Sequence, residues 1–231
     1  MKISLASRLL LTVGALSLAL VPTAHAQLII TEVMPGGSAA TYAADWFELT
    51  NKGASALNIS GFKVDDSSAA FATALALQGV TSIAPGESVV FMESAGGAAI
   101  GAFQTFWGGL GGIQLGFYSG AGIGLSSSGD AVNIFDSGGS FVSGVTFGAN
   151  ATTFTFDNHA STNPASTLIS ALSVDGQFGA FASVGTPTSF GSPGAIANAA
   201  AVPEPSTYAA IFGALALSAA VWSRRRAASV S

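Results

Sequence analysis

The chain has 231 residues, of which 49% are hydrophobic and only 8% charged, with 29 glycines and no cysteine. This composition is too apolar for a disordered chain and too rich in glycine for a helical bundle. The lack of cysteine excludes a disulfide scaffold, a thiolate zinc site, an iron–sulfur cluster and a cysteine nucleophile. Two histidines are too few for a polyhistidine metal site, so we expect no cofactor.

Basic residues are concentrated at the two ends of the chain. Between residues 27 and 202 the only basic residues are Lys52 and Lys63, whereas every acidic residue of the chain except Glu204 lies there. Such an acidic body would be repelled by phosphate backbones. A nucleic acid partner is therefore not expected.

The first 26 residues have the three-part order of a secretory signal peptide. These parts are the basic residues Lys2 and Arg8, the apolar run 9–21, and the small residues Ala24 and Ala26 before Gln27. The apolar run is too short to be interpreted first as a membrane span, and the alternative is a buried helix of the fold. We predict that signal peptidase cleaves before Gln27.

The C-terminal end contains a second ordered motif. Pro203, Glu204 and Pro205 are followed by an apolar segment, 208–222, and then by Arg224, Arg225 and Arg226. As a helix the apolar segment would span only about 22 Å, short of the roughly 30 Å hydrocarbon core, which indicates a marginal, temporary transmembrane helix. The arginines would stay cytoplasmic, so the body would lie outside the inner membrane.

This order, over residues 202–226, resembles the PEP-CTERM sorting signal of Gram-negative bacteria. The resemblance implies recognition and cutting near Pro203, Glu204 and Pro205 by a membrane-embedded exosortase-type enzyme, in species that make exopolysaccharide. It also implies an inner-membrane-anchored precursor and a mature protein at the cell surface or in the extracellular matrix. A permanent C-terminal anchor is the alternative, with the same topology.

The body, residues 27–198, alternates short β-branched or aromatic runs with glycine-rich and polar punctuation. About seven such runs predict an all-β, antiparallel β-sandwich, namely 28–34, 46–50, 57–64, 88–93, 131–135, 141–147 and 152–156. The glycine-rich stretch 96–124 predicts a long, partly ordered insertion because glycine weakens strands. Residues 199–202 form a predicted linker to the sorting signal.

Six ordered segments of the body resemble the lamin-tail domain, namely 28–35, 45–51, 57–66, 83–87, 125–136 and 192–198. Phe62 and Thr50 depart from the usual pattern of that family, as does the length of the glycine-rich stretch. The resemblance implies an immunoglobulin-like sandwich. It implies no reaction, because this fold serves as a structural or interaction module.

Few residues of the body are candidates for chemistry or binding. Trp107 could stack on a sugar ring if it is exposed, although a core position is equally consistent with the sequence. Asp65 and Asp66 are weak Ca²⁺ candidates, with an ordinary turn favoured. Glu32 and Glu48 could form a glycosidase-like carboxylate pair, but structural hydrogen bonding is favoured.

His159 lies in a polar segment that is typical of a solvated turn, so we assign it no catalytic role. The sequence thus predicts a non-enzymatic exported cell-surface or matrix protein, associated with exopolysaccharide or biofilm. The alternatives are a secreted glycan-active enzyme that uses a carboxylate pair and a Ca²⁺-stabilised adhesin.

Overall fold

The computed structural model describes residues 27–37, 40–108, 110–119, 123–186, 188–194 and 213. Within them, 14 strands and one α-helix form. The strands are β1 (Leu28–Met34), β2 (Trp46–Asn51), β3 (Leu57–Asn58), β4 (Lys63–Asp65), β5 (Leu75–Ala76), β6 (Ser82–Ile83), β7 (Ser88–Glu93), β8 (Leu115–Tyr118), β9 (Asp130–Phe135), β10 (Phe141–Phe147), β11 (Phe156–Asp157), β12 (Thr167–Ile169), β13 (Phe181–Ala182) and β14 (Phe190–Gly191). The helix is α1 (Ile100–Trp107), which follows a 3₁₀ turn at Ala95–Gly97.

The predicted signal peptide, the linker and, apart from Gly213, the sorting signal lie outside the described residues. Among the residues that are described, no helix is long and apolar enough to cross a membrane.

Two five-stranded sheets form the sandwich. The first has the strand order β11-β1-β2-β7-β8 and the second the order β12-β10-β9-β4-β5, while β3 with β6 and β13 with β14 form two small ribbons. The all-β prediction is confirmed, but the expectation of purely antiparallel pairing is wrong. The strand β8 runs parallel to β7, and β12 runs parallel to β10. Parallel neighbours need a crossover connection, which α1 supplies between β7 and β8.

The main hydrophobic core lies between the two sheets. Alternation along β2 directs Phe47 and Leu49 into this core, where they meet residues such as Val132 and Val145 of the second sheet. Every residue of β1 and β2 is buried. The first sheet is therefore covered on both faces.

The glycine-rich stretch supplies part of the cover on the other face. Its helix α1 ends at Gly108, whose φ of 64° favours glycine,. The side chains of Phe103, Phe106 and Trp107 are buried and pack with Trp46 in a second hydrophobic cluster. The described residues of this stretch form the 3₁₀ turn, α1 and β8, and the aromatic side chains give the helix a surface on which to pack.

Two predicted strands are shorter in the structure than in the sequence pattern. The run 57–64 is divided into β3 and β4 by a turn at Gly61, which has a φ of 80°. The run 152–156 contributes only Phe156 to β11, because the Asn150 side chain accepts hydrogen bonds from the amide and the hydroxyl of Thr152 and so forms a turn. The sandwich keeps the predicted order despite these breaks.

Candidate functional site

A β-bulge in β1 brings polar side chains together on the outer face of the first sheet. Ile30 pairs with Leu49 and Glu32 pairs with Glu48, so Thr31 is the extra residue between them. A bulge turns two consecutive side chains toward the same side of a sheet. On the other side of β1, Glu32 pairs with Asp157 of β11. Three acidic residues therefore lie side by side on three adjacent strands.

Glu48 is fully buried and accepts hydrogen bonds at both carboxylate oxygens. Its Oε1 accepts from the Thr31 hydroxyl at 2.5 Å and faces His159 Nε2 at 3.1 Å. Its Oε2 accepts from the backbone amide of Gly194 at 2.6 Å. Since these donors come from three separate parts of the chain, Glu48 fastens the C-terminal segment and the His159 turn to the sheet.

Glu32, on the neighbouring strand β1, also accepts a hydrogen bond from a backbone amide of the C-terminal segment. Its Oε1 accepts from the backbone amide of Ser192 at 2.7 Å and from the hydroxyl of Thr155. Its Oε2 is buried without a hydrogen-bond partner. The two glutamates thus hold alternate amides of one segment. We call Phe190–Gly194 the strap.

His159 links two of the three acidic residues. Its Nδ1 lies 2.9 Å from Asp157 Oδ1, and the whole residue is 4% exposed. The ammonium of Lys52 donates to the carbonyl oxygens of His159 and Ser161, at 2.5 and 2.6 Å. The prediction of a solvated turn residue is wrong, because the imidazole is folded inward between two carboxylates.

Burial and neighbouring charge set the protonation states of this cluster. Burial raises the pKa of Glu32 to about 8, and the charge of Glu48 adds to the effect,. Burial disfavours a charged imidazole, but hydrogen bonds with Asp157 and Glu48 outweigh it and raise the pKa of His159 to about 10. The pKa of Asp157 is lowered, since its bonds from His159 outweigh its burial. At neutral pH, Glu32 is therefore protonated and His159 is charged.

The structure brings Glu32 and Glu48 together as the enzyme alternative requires, but it covers both. Each residue is 0% exposed, and the hydrogen bonds that reach its carboxylate come from the chain itself. A carboxylate that acts on a glycosidic bond has to touch the sugar. In this conformation the pair instead stabilises the packing of the strap on the sheet.

Trp107 is buried, so of the two positions that the sequence left open, the structure shows the core position and not an exposed sugar-stacking surface. It is 1% exposed, and its ring lies edge-on to Trp46 with 5.8 Å between centroids. Phe106 and Phe181 pack edge-on against the same ring. Such a position in an aromatic cluster contributes to stability rather than to ligand contact.

Asp65 and Asp66 organise a turn, in agreement with the favoured interpretation. Asp65 Oδ2 accepts from the hydroxyl of Ser68 at 2.5 Å and from the amide of Ala70 at 2.6 Å. Asp66 Oδ1 accepts from the amide of Ser68 at 2.8 Å. Within the described ranges, no three histidine, aspartate or glutamate side chains are grouped so that they could hold a metal ion.

Sequence reasoning missed the connection between these residues. His159 and Glu48 are 111 residues apart, and no local pattern joins them. The resemblance of segment 192–198 to a closing lamin-tail motif was the one available signal, since it singled out Ser192 and Gly194. Ser192 and Gly194 act through their backbone amides, and every residue type except proline has such an amide, so residue identity gives no signal.

An immunoglobulin-like sandwich with an internally paired acidic cluster is the class of protein that this geometry defines. A family model, the Lamin Tail Domain, matches residues 22–149. This chain belongs to that family. No curated protein and no solved structure matches the chain. The partners of Glu32 and Glu48 from Thr155 onward lie beyond the matched residues.

Proposed function

We propose that this chain is a non-enzymatic exported protein of the cell surface or extracellular matrix in a Gram-negative bacterium. Signal peptidase removes residues 1–26, and residues 203–226 anchor the precursor temporarily in the inner membrane until an exosortase-type enzyme cuts near the Pro203-Glu204-Pro205 motif. The mature sandwich then associates with exopolysaccharide or biofilm.

One observation carries the proposal: the C-terminal order of motif, apolar segment and arginines, in a chain that also begins with a signal-peptide pattern. Two features of the body support it. The Lamin Tail Domain match supports an interaction module, as the resemblance of the sequence to that family does,. Both carboxylate oxygens of the buried Glu48 and both ring nitrogens of the buried His159 are engaged inside the fold, as is Oε1 of the buried Glu32.

Mass spectrometry of the mature protein from its native host tests the processing step. We expect the mature chain to begin at Gln27 and to lack Arg224, Arg225 and Arg226. Deleting the exosortase of the host, or introducing Glu204→Ala, should leave the arginines in place and keep the protein in the membrane fraction. A mature wild-type chain that still carries the three arginines would overturn the proposal.

The matched control is Asp175→Ala, which removes an exposed acidic residue outside the motif in the sequence. This variant should be processed and delivered like the wild type. The polysaccharide that is recovered with the mature body, compared between the host with and without its exosortase, tests the association with the matrix.

A further inference from the structure

When the strap lies on the sheet, several buried polar side chains around it lack hydrogen-bond partners. The hydroxyls of Ser192 in the strap and of Ser189 just before it are buried without a hydrogen-bond partner, as is Oε2 of Glu32. These are three of the five such side-chain atoms in the described part of the chain. A buried polar group without a partner regains hydrogen bonds as soon as water reaches it, so hydration favours opening at this place.

Few main-chain contacts hold the strap down. The ribbon of β13 and β14 has only two residues in each strand. Besides the amides of Ser192 and Gly194, the Phe190 carbonyl accepts from the amide of Thr155 at 3.0 Å. The hydroxyl of Thr155 reaches the same carbonyl at 3.4 Å, and the rings of Phe154 and Phe190 form an edge-on pair. Segments held by so few bonds open locally without unfolding the domain.

Protonation of Glu32 makes the closed position of the strap depend on pH. Glu32 faces Glu48 from β2, His159 and Asp157 from β11 and the turn after it, and Tyr42 from the segment before β2. When closed, burial and the Glu48 charge keep the pKa of Glu32 near 8, against an ordinary value of 4.5. A hydrated Glu32 under an open strap returns toward the ordinary value, so opening releases a proton between these two pH values.

We propose that the strap is a latch that acid holds closed over Glu32 and Glu48 and that loosens as the solution approaches neutrality. The closed latch needs Glu32 to be neutral, because an ionised carboxylate next to that of Glu48 would be buried and repelled. Loosening exposes the row of acidic side chains on the first sheet. This inference concerns the folded body alone and holds whether or not the sorting signal acts as proposed.

Hydrogen exchange of the full chain, read by mass spectrometry on a peptide that covers residues 188–194, tests the latch. After correction for the intrinsic pH dependence of exchange, we expect wild-type protection to fall between pH 5 and 8, approaching tenfold per pH unit, and to level off above pH 8. In Glu32→Gln, which keeps an acceptor for the Ser192 amide but cannot ionise, protection should not change with pH. Protection of peptides from β9 and β10 should follow only the pH dependence of global unfolding, which urea denaturation measures separately.

Glu93→Gln is the matched control. Burial raises the pKa of Glu93 too, but this residue lies at the end of β7, beside Asp45, so the variant should keep the wild-type profile. Glu48→Gln provides a second test, which remains usable if the Glu32→Gln variant does not fold. Because the Glu48 charge raises the pKa of Glu32, its removal should lower the pH at which strap protection levels off. Strap protection that is constant in the wild type, or that falls equally in Glu32→Gln, would overturn the proposal.

Discussion

His159 is inserted between the acidic residues Asp157 of β11 and Glu48 of β2. Its two ring nitrogens lie 2.9 Å from Asp157 and 3.1 Å from Glu48. Buried charges are tolerated only when they are paired and hydrogen-bonded. Because Glu32 is neutral at physiological pH, the carboxylates beside the imidazolium are those of Asp157 and Glu48, and the charge of Lys52 acts on both as well.

The protons held by this cluster make stability depend on pH. Glu32 keeps its proton to about pH 8 in the fold against a reference value of 4.5, and His159 to about pH 10 against 6.5. Over both intervals the folded chain holds protons that the unfolded chain has released, so the free energy of unfolding falls as pH rises from about 4.5 to about 10. The expected slope is at most about 1.4 kcal/mol per pH unit for each proton.

Urea denaturation at pH 5, 7 and 9 measures this trend. On the acid side, the lowered pKa of Asp157 predicts a separate loss of stability below about pH 3.8, the reference value of its carboxyl group,. In His159→Gln the decline above pH 6.5 should become shallower, because one of the two protons is absent. A wild-type midpoint that rises from pH 5 to 9 would contradict the assignment of these protons.

At the scale of elements, the strap approaches its neighbours closely. A Cβ added at Gly194 would lie 2.2 Å from Ile113 Cδ1, and one at Gly191 would lie 2.9 Å from Glu32 Oε1. The space available requires glycine at both positions, and a positive φ favours it in addition at Gly194. The strap is therefore fitted to α1, to the segment after it and to the glutamates as one surface.

Gly194→Ala and Gly176→Ala distinguish the cost of a steric clash from the cost of backbone strain. Both glycines have a positive φ, 74° and 76°, but nothing lies within 4 Å of a Cβ at Gly176. We expect Gly176→Ala to cost about 1 kcal/mol from backbone strain alone, and Gly194→Ala to cost about 1–3 kcal/mol more from the clash with Ile113. Chemical denaturation of both variants measures the difference, and equal losses would show that the close contact is unimportant.

The sequence predicted the long strands well and the short elements poorly. The bounds of β1 and β10 follow from period-2 runs that ended at turn residues. The strands β13 and β14 have two residues each, too few to show a period. The helix α1 was missed because glycines surround it and because its apolar face is recognisable only once Trp46 and Tyr42 are in place beneath it.

The candidate site divides in the same way. Glu32 and Glu48 could be singled out because both lie in recognisable strands, and their pairing follows from the register of β1 and β2. The burial of His159 could not be predicted, since its neighbours in sequence are polar and its partner Glu48 is distant. The burial of Trp107 could not be predicted either, because it depends on packing with residues distant in sequence, such as Trp46 and Phe181.

At the scale of the whole molecule, the sandwich extends beyond the family match. The match ends at residue 149, whereas β11, β12, β13 and β14 follow it. These strands and their turns contribute His159, Thr155 and the strap to the acidic cluster. The later segment therefore completes the cover of the first sheet.

Two truncated chains test this dependence. A chain of residues 27–149 would leave Glu32 and Glu48 without their later partners and would uncover the aromatic cluster, so we expect no cooperative unfolding transition. A chain of residues 27–194 keeps these contacts and should unfold cooperatively. Near-ultraviolet circular dichroism during urea titration distinguishes the two, and a cooperative transition in the shorter chain would contradict the expectation.

Phe178 lies over the buried imidazole in an unusual way. It has a φ of 47°, which is rare for an aromatic residue, and its ring is nearly parallel to that of His159, with 6.2 Å between centroids,. The other histidine of the chain, His25, belongs to the predicted signal peptide. A chain that starts at Gln27 thus contains a single imidazole, and its proton magnetic resonance signals, shifted by the ring current of Phe178, would report on the acidic cluster without isotopic labelling.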